Sequence, residues 1–210
     1  MIYEFFGLPG SGKSTVCSMM RKKGYQDLLF FYKNNIFGKM IFHLKFYLFK
    51  MNRKNRELFK NIEEIIPVNC RNSIFVKNTT IDFYIKYLVL ISRLEKKSIG
   101  NNCIDEGIVH YLMALYAEFN VNIDILNKIM VAIGFPTDFV KSIGINCSVQ
   151  DAYYRICKRN RKQTGIDFLN KDEMIDLLNR YFEIYKYFSL SFQCKDFDCF
   201  INDGGICDEI

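Results

Sequence analysis

The segment Gly7-Leu8-Pro9-Gly10-Ser11-Gly12-Lys13-Ser14 fits the pattern G-x-x-x-x-G-K-[ST] at every fixed position. That spacing suits phosphate binding. The glycines let the backbone curl with positive φ, so successive N–H groups point inward at phosphate oxygens. A helix opening at Ser14 adds the positive end of its dipole. Lys13 then reaches the β- and γ-phosphates of a nucleoside triphosphate, and the Ser14 hydroxyl is a magnesium ligand. The expected ligand surface is Gly7, Pro9, Gly10, Ser11, Gly12, Lys13, Ser14 and Thr15, with Thr15 near the α-phosphate. A glycine-rich turn that merely carries a lysine would show the same letters. The context argues otherwise: Ile2-Tyr3-Glu4-Phe5-Phe6 reads as a buried strand, and Ser14 to Lys23 as a helix closed by Gly24.

A second chemical feature is Ile104-Asp105-Glu106-Gly107, two acids at the end of a short apolar run. A phosphate loop needs a carboxylate to hold the magnesium shell or position the nucleophile. Asp105 is the expected magnesium ligand, directly or through water. Glu106 is the alternative ligand, or a contact to the acceptor. The competing reading makes Asp105 only a helix cap. His110, one turn further on, reads as structural.

A third feature is basic. Arg155, Arg159 and Arg161 stand with Lys158 and Lys162, and Arg155 and Arg159 share one helix face. Guanidinium groups stack on bases or fork onto phosphate oxygens. The polar stretch from Asn160 to Asn170, with Gly165 inside it, suits a closing lid that excludes water. The alternative is a solvated basic face.

These residues need a scaffold that delivers them to one place. Apolar runs at 2–6, 28–32, 102–105, within 140–147 and at 199–201 read as strands. Helical periodicity covers 80–97, 108–119, 123–133, 149–159 and 172–188. The segment Ile36 to Ile66 looks mostly helical, with a break near Asn52 to Asn55. Strands alternating with helices imply an α/β fold with a parallel sheet of roughly five strands, whose ligands bind at the strands' carboxyl ends.

The 210 residues, half of them hydrophobic, suffice for one core and a single domain spanning 1–210. Residues 34–97 form a helical acceptor side, and 159–171 the lid. The net charge of +6 suits a phosphorylated ligand and is too weak to imply nucleic acid. The eight cysteines form no C-x-x-C pair, and Cys194, Cys199 and Cys207 fit no zinc spacing. With no signal peptide apparent, reduced thiols and a cytoplasmic location are expected. Ile36 to Met51 is broken by Lys39, His43, Lys45 and Lys50, which excludes a spanning helix. Its apolar residues recur at helical spacing, as for a helix packed over a core or cleft. A helix on a membrane surface is the alternative.

Together these pieces resemble a small phosphate-loop kinase of the nucleoside monophosphate kinase, thymidylate kinase-like and nucleoside kinase type. The resemblance is strongest from Tyr3 to Thr15 and follows the chain order of most parts. It implies a three-layer P-loop NTPase fold with a helical acceptor-binding insert and a lid. It implies transfer of the γ-phosphoryl of ATP to a small acceptor, a nucleotide or nucleoside-like molecule, with magnesium (Mg2+). It also implies that Lys13, Asp105, Arg155, Arg159 and Arg161 carry the transfer. Arg155 would stack on adenine, Arg159 would reach the phosphates, Arg161 would be a second lid arginine, and Asn202, Asp203 and Gly204 would contact adenine through their backbone.

Two departures stand out. Tyr32-Lys33-Asn34-Asn35 follows the second candidate strand where nucleoside kinases carry a base, and Asp105 is followed by Glu106 where thymidylate kinases carry arginine. The acceptor is expected under Asn34 to Cys70, with Arg53, Lys54 and Arg56 available to meet an anion. A homodimer is compatible with the sequence. The competing functions are a nucleotide-binding regulatory switch ATPase and a polynucleotide end kinase. A GTPase is excluded by the absence of N-K-x-D, since Asn170-Lys171-Asp172-Glu173 fails at its fourth position.

Overall fold

A computed structural model describes residues 1–29, seven positions between 37 and 51, and residues 52–76, 79–97, 100–135, 140–159, 162, 164–192 and 197–198, with backbone only at 94–97 and 197–198. The strands are β1 (Ile2–Phe6), β2 (Gln26–Asp27), β3 (Asn102–Ile104), β4 (Val140–Asn146) and β5 (Phe197–Asp198). The helices are α1 (Lys13–Lys22), α2 (Arg53–Ile65), α3 (Ile81–Lys97), α4 (Ile108–Phe119), α5 (Ile123–Ile133), α6 (Val149–Arg159) and α7 (Lys171–Ser191).

The strand order is β2-β3-β1-β4-β5, and every pairing is parallel. The first four strands form one continuous ladder. β5 adds only two residues to the end of β4, through Ile145 with Phe197 and Asn146 with Asp198. The expected sheet of roughly five strands is thus corrected to a ladder of four with a short addition. The described second strand is Gln26–Asp27, and Leu28 and Leu29 turn after it, while the rest of the strand expected at Leu28 to Tyr32 lies outside the described residues. Asp27 ends it by accepting the Leu29 N–H in a tight turn. The expected strand at Cys199 to Ile201 lies outside the described residues.

Strand alternation sorts β1 between two apolar layers. Phe5 packs with Val16, Cys17 and Met20 of α1, and with Cys103 and Ile145 of the neighbouring strands. Ile2 and Phe6 join the larger core on the other face, built mainly from α3, α4 and α7. The result is helix, sheet, helix. Polar side chains fix the helix ends. Asn52 accepts from Lys54 at the start of α2, so the expected break sits at that cap. Asn170 and Glu173 form a reciprocal cap on α7. Asn120, at φ 57°, and Gly134, at φ 59°, close α4 and α5.

Two polar residues of the sheet are buried, Glu4 of β1 and Asn102 of β3. Glu4 is fully buried, and its Oε1 accepts from the Val109 N–H at the start of α4. Its Oε2 has no hydrogen-bond partner among the described residues. Gly107 makes the approach possible, because a Cβ there would collide with the Glu4 carboxyl.

The segment expected to cover a core or cleft behaves otherwise. Phe37, Met40, Ile41, Leu44, Tyr47, Leu48 and Met51, its described residues, are helical and exposed. The rest of the segment Ile36 to Met51 lies outside the described residues. No described helix is long and apolar enough to cross a membrane.

Burial pushes the Glu4 carboxyl up to about 8, against hydrogen bonds from the Val109 and His110 N–H groups that pull it down. Folding therefore favours the neutral acid. Its stabilising contribution is complete below about pH 4 and is lost as the pH rises through about 8. Urea unfolding should show the wild type losing a few kcal/mol between about pH 5 and about pH 8 relative to Glu4→Gln, which stays neutral throughout. Parallel pH profiles for the two proteins would show that Glu4 carries no such linkage.

Candidate functional site

The glycine-rich turn follows β1 and runs into α1. Gly7, Gly10 and Gly12 all have positive φ, at 151°, 82° and 104°. Gly10 is pinned: a Cβ there would stand 2.8 Å from the Ala152 carbonyl oxygen of α6. Lys13 is buried, and its Nζ donates to the carbonyls of Gly7 and Leu8, both at 2.8 Å. Its ammonium is thus held under the loop. The Ser14 hydroxyl donates to Asp105 Oδ2 at 2.7 Å, joining α1 to the end of β3.

A cavity of about 550 Å³ opens beside this loop. Pro9, Gly10, Gly12, Lys13, Ser14 and Thr15 line one end, with Arg155 and Arg159 of α6. Asp105 and Glu106 line its middle at the carboxyl end of β3. The other end is walled by Val76, Thr79, Phe83, Tyr84, His110, Glu118, Leu177 and Tyr181. Thr164, Gly165 and Ile166 also line it, and Gly165 sits so close to Val76 that a Cβ would come within 2.7 Å of its Cγ2.

The walls are tied by polar contacts. Tyr84 of α3 and Tyr181 of α7 donate to the two oxygens of Glu118 of α4, each at 2.7 Å. Burial raises the Glu118 carboxyl, and the two tyrosine bonds pull it back down. Burial likewise raises the Tyr84 and Tyr181 hydroxyls, and the Glu118 charge adds to it. The Arg180 guanidinium of α7 donates to the Tyr116 and Ala117 carbonyls and to Asn120 Oδ1, all at 2.9 Å. It therefore satisfies carbonyls at the C-terminal end of α4 and complements its dipole.

Both described arginines of α6 line this cavity and also make contacts within the protein. Arg155 Nη1 donates to the Ser11 carbonyl at 3.2 Å, so it braces the phosphate loop. Arg159 pairs with the nearly buried Asp167 at 3.3 Å. Asp167 also accepts from the Thr164 N–H and hydroxyl, which closes the 3-10 turn Gly165–Phe168. Arg161 and the turn Asn202, Asp203 and Gly204 lie outside the described residues, as do Cys194, Cys199 and Cys207.

Arg53, Lys54 and Arg56, expected to meet an anionic acceptor, do not line the cavity. Arg53 is exposed and pairs with Glu57 along α2 at 2.8 Å. His110, read as structural, does line it. Sequence reasoning also missed Glu4, Glu118, Tyr84 and Tyr181. The available signal was the acid inside an apolar element: Glu4 in β1 and Glu118 near the end of the buried helix α4.

The donor set at the loop fits magnesium. A hydroxyl and a carboxylate oxygen, from Ser14 and Asp105, already meet at the phosphate end, and hard cations prefer such oxygens.

Gly10 offers a direct check on the loop. Gly10→Ala forces a side chain into the left-handed region and against the Ala152 carbonyl. Calorimetric titration should show nucleoside triphosphate affinity falling at least about tenfold, while the thermal transition stays cooperative. Unchanged affinity would mean that this loop conformation is not the binding one.

No family model matches the sequence, and the search of curated proteins gives no match. Solved structures do. The chain is similar to deoxyadenosine kinase from M. mycoides with bound dATP, at TM-score 0.51 and 20% identity, covering 94% of this chain and 91% of that one. The same kinase with the products dCMP and a flexible dCDP gives TM-score 0.54 at 20% identity, covering 94% and 90%. With bound dCTP it gives TM-score 0.54 at 19% identity, covering 94% and 90%. The chain thus shares the fold of these structures, a parallel sheet flanked by helices.

Proposed function

We propose that the chain is an ATP-dependent kinase that transfers the γ-phosphoryl group to a hydroxyl of a small, uncharged, nucleoside-like acceptor. The observation that carries this reading is the polarity of the cavity. Its lysine and arginines, Lys13, Arg155 and Arg159, belong to the phosphate loop and α6. Its far end offers Glu118 with Tyr84, Tyr181 and Phe83 instead. A monophosphate acceptor placed there would face the Glu118 carboxylate, which costs electrostatic energy in a low-dielectric site. A neutral ring fits the aromatic wall, and hydroxyls fit the polar one. The likeness to deoxyadenosine kinase supports the same reading.

The residues divide the work as follows. Backbone N–H groups of the loop and the Lys13 ammonium hold the phosphates and take up charge as the γ-phosphoryl group moves. Ser14 and Asp105 are the groups that would hold magnesium, with Glu106 as the alternative to Asp105. Bound there, magnesium supplies charge neutralisation at phosphate oxygens. Arg155 fixes the loop through Ser11, and the Arg159–Asp167 pair holds the turn that borders the cavity.

A hydroxyl acceptor must lose its proton. Glu106 adjoins Asp105 at the strand end and lines the cavity together with Tyr84, on which its charge acts. Glu106 is therefore assigned as the base. It takes the proton as the acceptor oxygen bonds to phosphorus and the bond to the β,γ-bridging oxygen breaks.

The test is ADP release from ATP and magnesium with a panel of nucleosides, nucleoside monophosphates and sugars. Nucleosides should raise ADP release and monophosphates should not. Lys13→Ala should abolish turnover. Glu106→Gln should lower kcat by roughly 10²–10⁴ with little change in the acceptor KM. Turnover only with monophosphates would overturn the acceptor class. Slow ATP hydrolysis that no acceptor accelerates would favour a regulatory switch.

A further inference from the structure

Helix α4 begins without a cap of its own. A helix leaves its first N–H groups unpaired unless a side chain accepts from them, and the residue before the first turn ordinarily does so. Here that residue is Gly107, which has no side chain to offer, and the first turn holds no acid. The Val109 and His110 N–H groups donate instead to Glu4 of β1. Gly107 and Glu4 are matched in space, since a Cβ on Gly107 would collide with the Glu4 carboxyl. Glu4 lies between Ile2 and Phe6 on the face of β1 that meets the larger apolar core. An apolar side chain would be ordinary there, so a buried carboxyl calls for a reason other than packing.

The acids of the site lie just past the reach of the sheet. The β1–β3 ladder ends where Glu4 pairs with Ile104, and the β2–β3 ladder ends at Cys103. Asp105, Glu106 and Gly107 follow beyond both ladders. Two contacts bracket Glu106: Ser14 to Asp105 on one side, and Val109 to Glu4 on the other. Glu106 lines the cavity just ahead of α4, and His110 lines it from the first turn. Whatever sets the start of α4 therefore sets where the Glu106 carboxylate meets an acceptor.

We propose that Glu4 is a positioning residue for the phosphoryl transfer: by capping α4 from the neighbouring strand, it fixes the strand-to-helix turn that presents Glu106 to the acceptor. The assignment rests on the reading of Glu106 as the base. Glu4 itself does not line the cavity, so it acts through the turn.

The experiment is a double-mutant cycle on nucleoside-dependent ADP release, with Glu4→Met, Glu106→Gln and the two combined. Methionine fills the site without an oxygen to accept from Val109. Glu4→Met should lower kcat roughly 10²-fold, the effect of displacing a reacting group by about 1 Å. The acceptor KM, and ATP affinity by calorimetry, should change by less than about threefold. In the Glu106→Gln background the same substitution should lower kcat by less than about threefold, because the group that Glu4 positions is gone. Glu4→Gln keeps the accepting oxygen and should hold kcat within about threefold of wild type. Gly107→Ala crowds the Glu4 carboxyl without removing it, and takes the place of Glu4→Met in the cycle if that variant fails to fold. An equal loss in both backgrounds makes Glu4 merely structural and overturns the proposal. So does full activity in Glu4→Met, or a Glu4→Gln as impaired as Glu4→Met. With an active wild type, these results overturn the positioning role alone. A wild type without nucleoside-dependent turnover overturns the phosphoryl transfer, and the positioning role with it.

Discussion

The site depends on one buried carboxyl. Glu4 stands in β1, three residues before the phosphate loop, and reaches across to the first turn of α4. That bond fixes the segment Asp105-Glu106-Gly107 against β1, because Gly107 leaves no room for a shift. The parallel register of β1 with β3 then brings Ser14 and Asp105 within hydrogen-bond distance. A carboxyl in an apolar sheet is costly unless it is neutral or satisfied. The fold retains it where two chemically active segments must be held side by side.

Polarity inside the cavity follows from the layers around it. The phosphate end is made of helix N-termini, loop N–H groups, Lys13 and the α6 arginines, all positive toward the ligand. The acceptor end is made of α3, α4 and α7, whose apolar packing leaves room for one carboxylate shared between two tyrosines. Each end thus inherits its charge from the elements that build it. Glu118 also ties three helices together, so the wall is braced where a substrate would press on it.

Much of this was legible in the sequence. The phosphate loop is a local motif, and its glycines, lysine and serine dictate their geometry within one turn. The boundaries of α4, α5 and α6 follow from periodicity and from capping residues such as Asn122 and Gly134. What failed depends on tertiary partners. The apolar run from Leu28 reads as strand at its start, yet Leu28 and Leu29 turn away after Asp27 accepts the Leu29 N–H. Tyr84 reads as one more apolar position of α3, because Glu118, its partner, lies 34 residues away. The pairing of Arg159 with Asp167 joins two residues eight apart across the turn, which the sequence pattern did not show.

The contact between the phosphate loop and α6 has a thermodynamic consequence. Gly10 abuts the Ala152 carbonyl and Arg155 holds the Ser11 carbonyl, so two turns of α6 rest on the loop backbone. α6 then ends at Arg159, which anchors the turn at the cavity mouth. A ligand that reshapes the loop therefore performs work on that turn, and an acceptor that displaces the turn performs work on the loop. By linkage the two effects share one coupling free energy, so each ligand must alter the affinity for the other by the same factor. On the proposed transfer no separate relay between triphosphate and acceptor is needed, because the helix that carries the arginines is itself the connection.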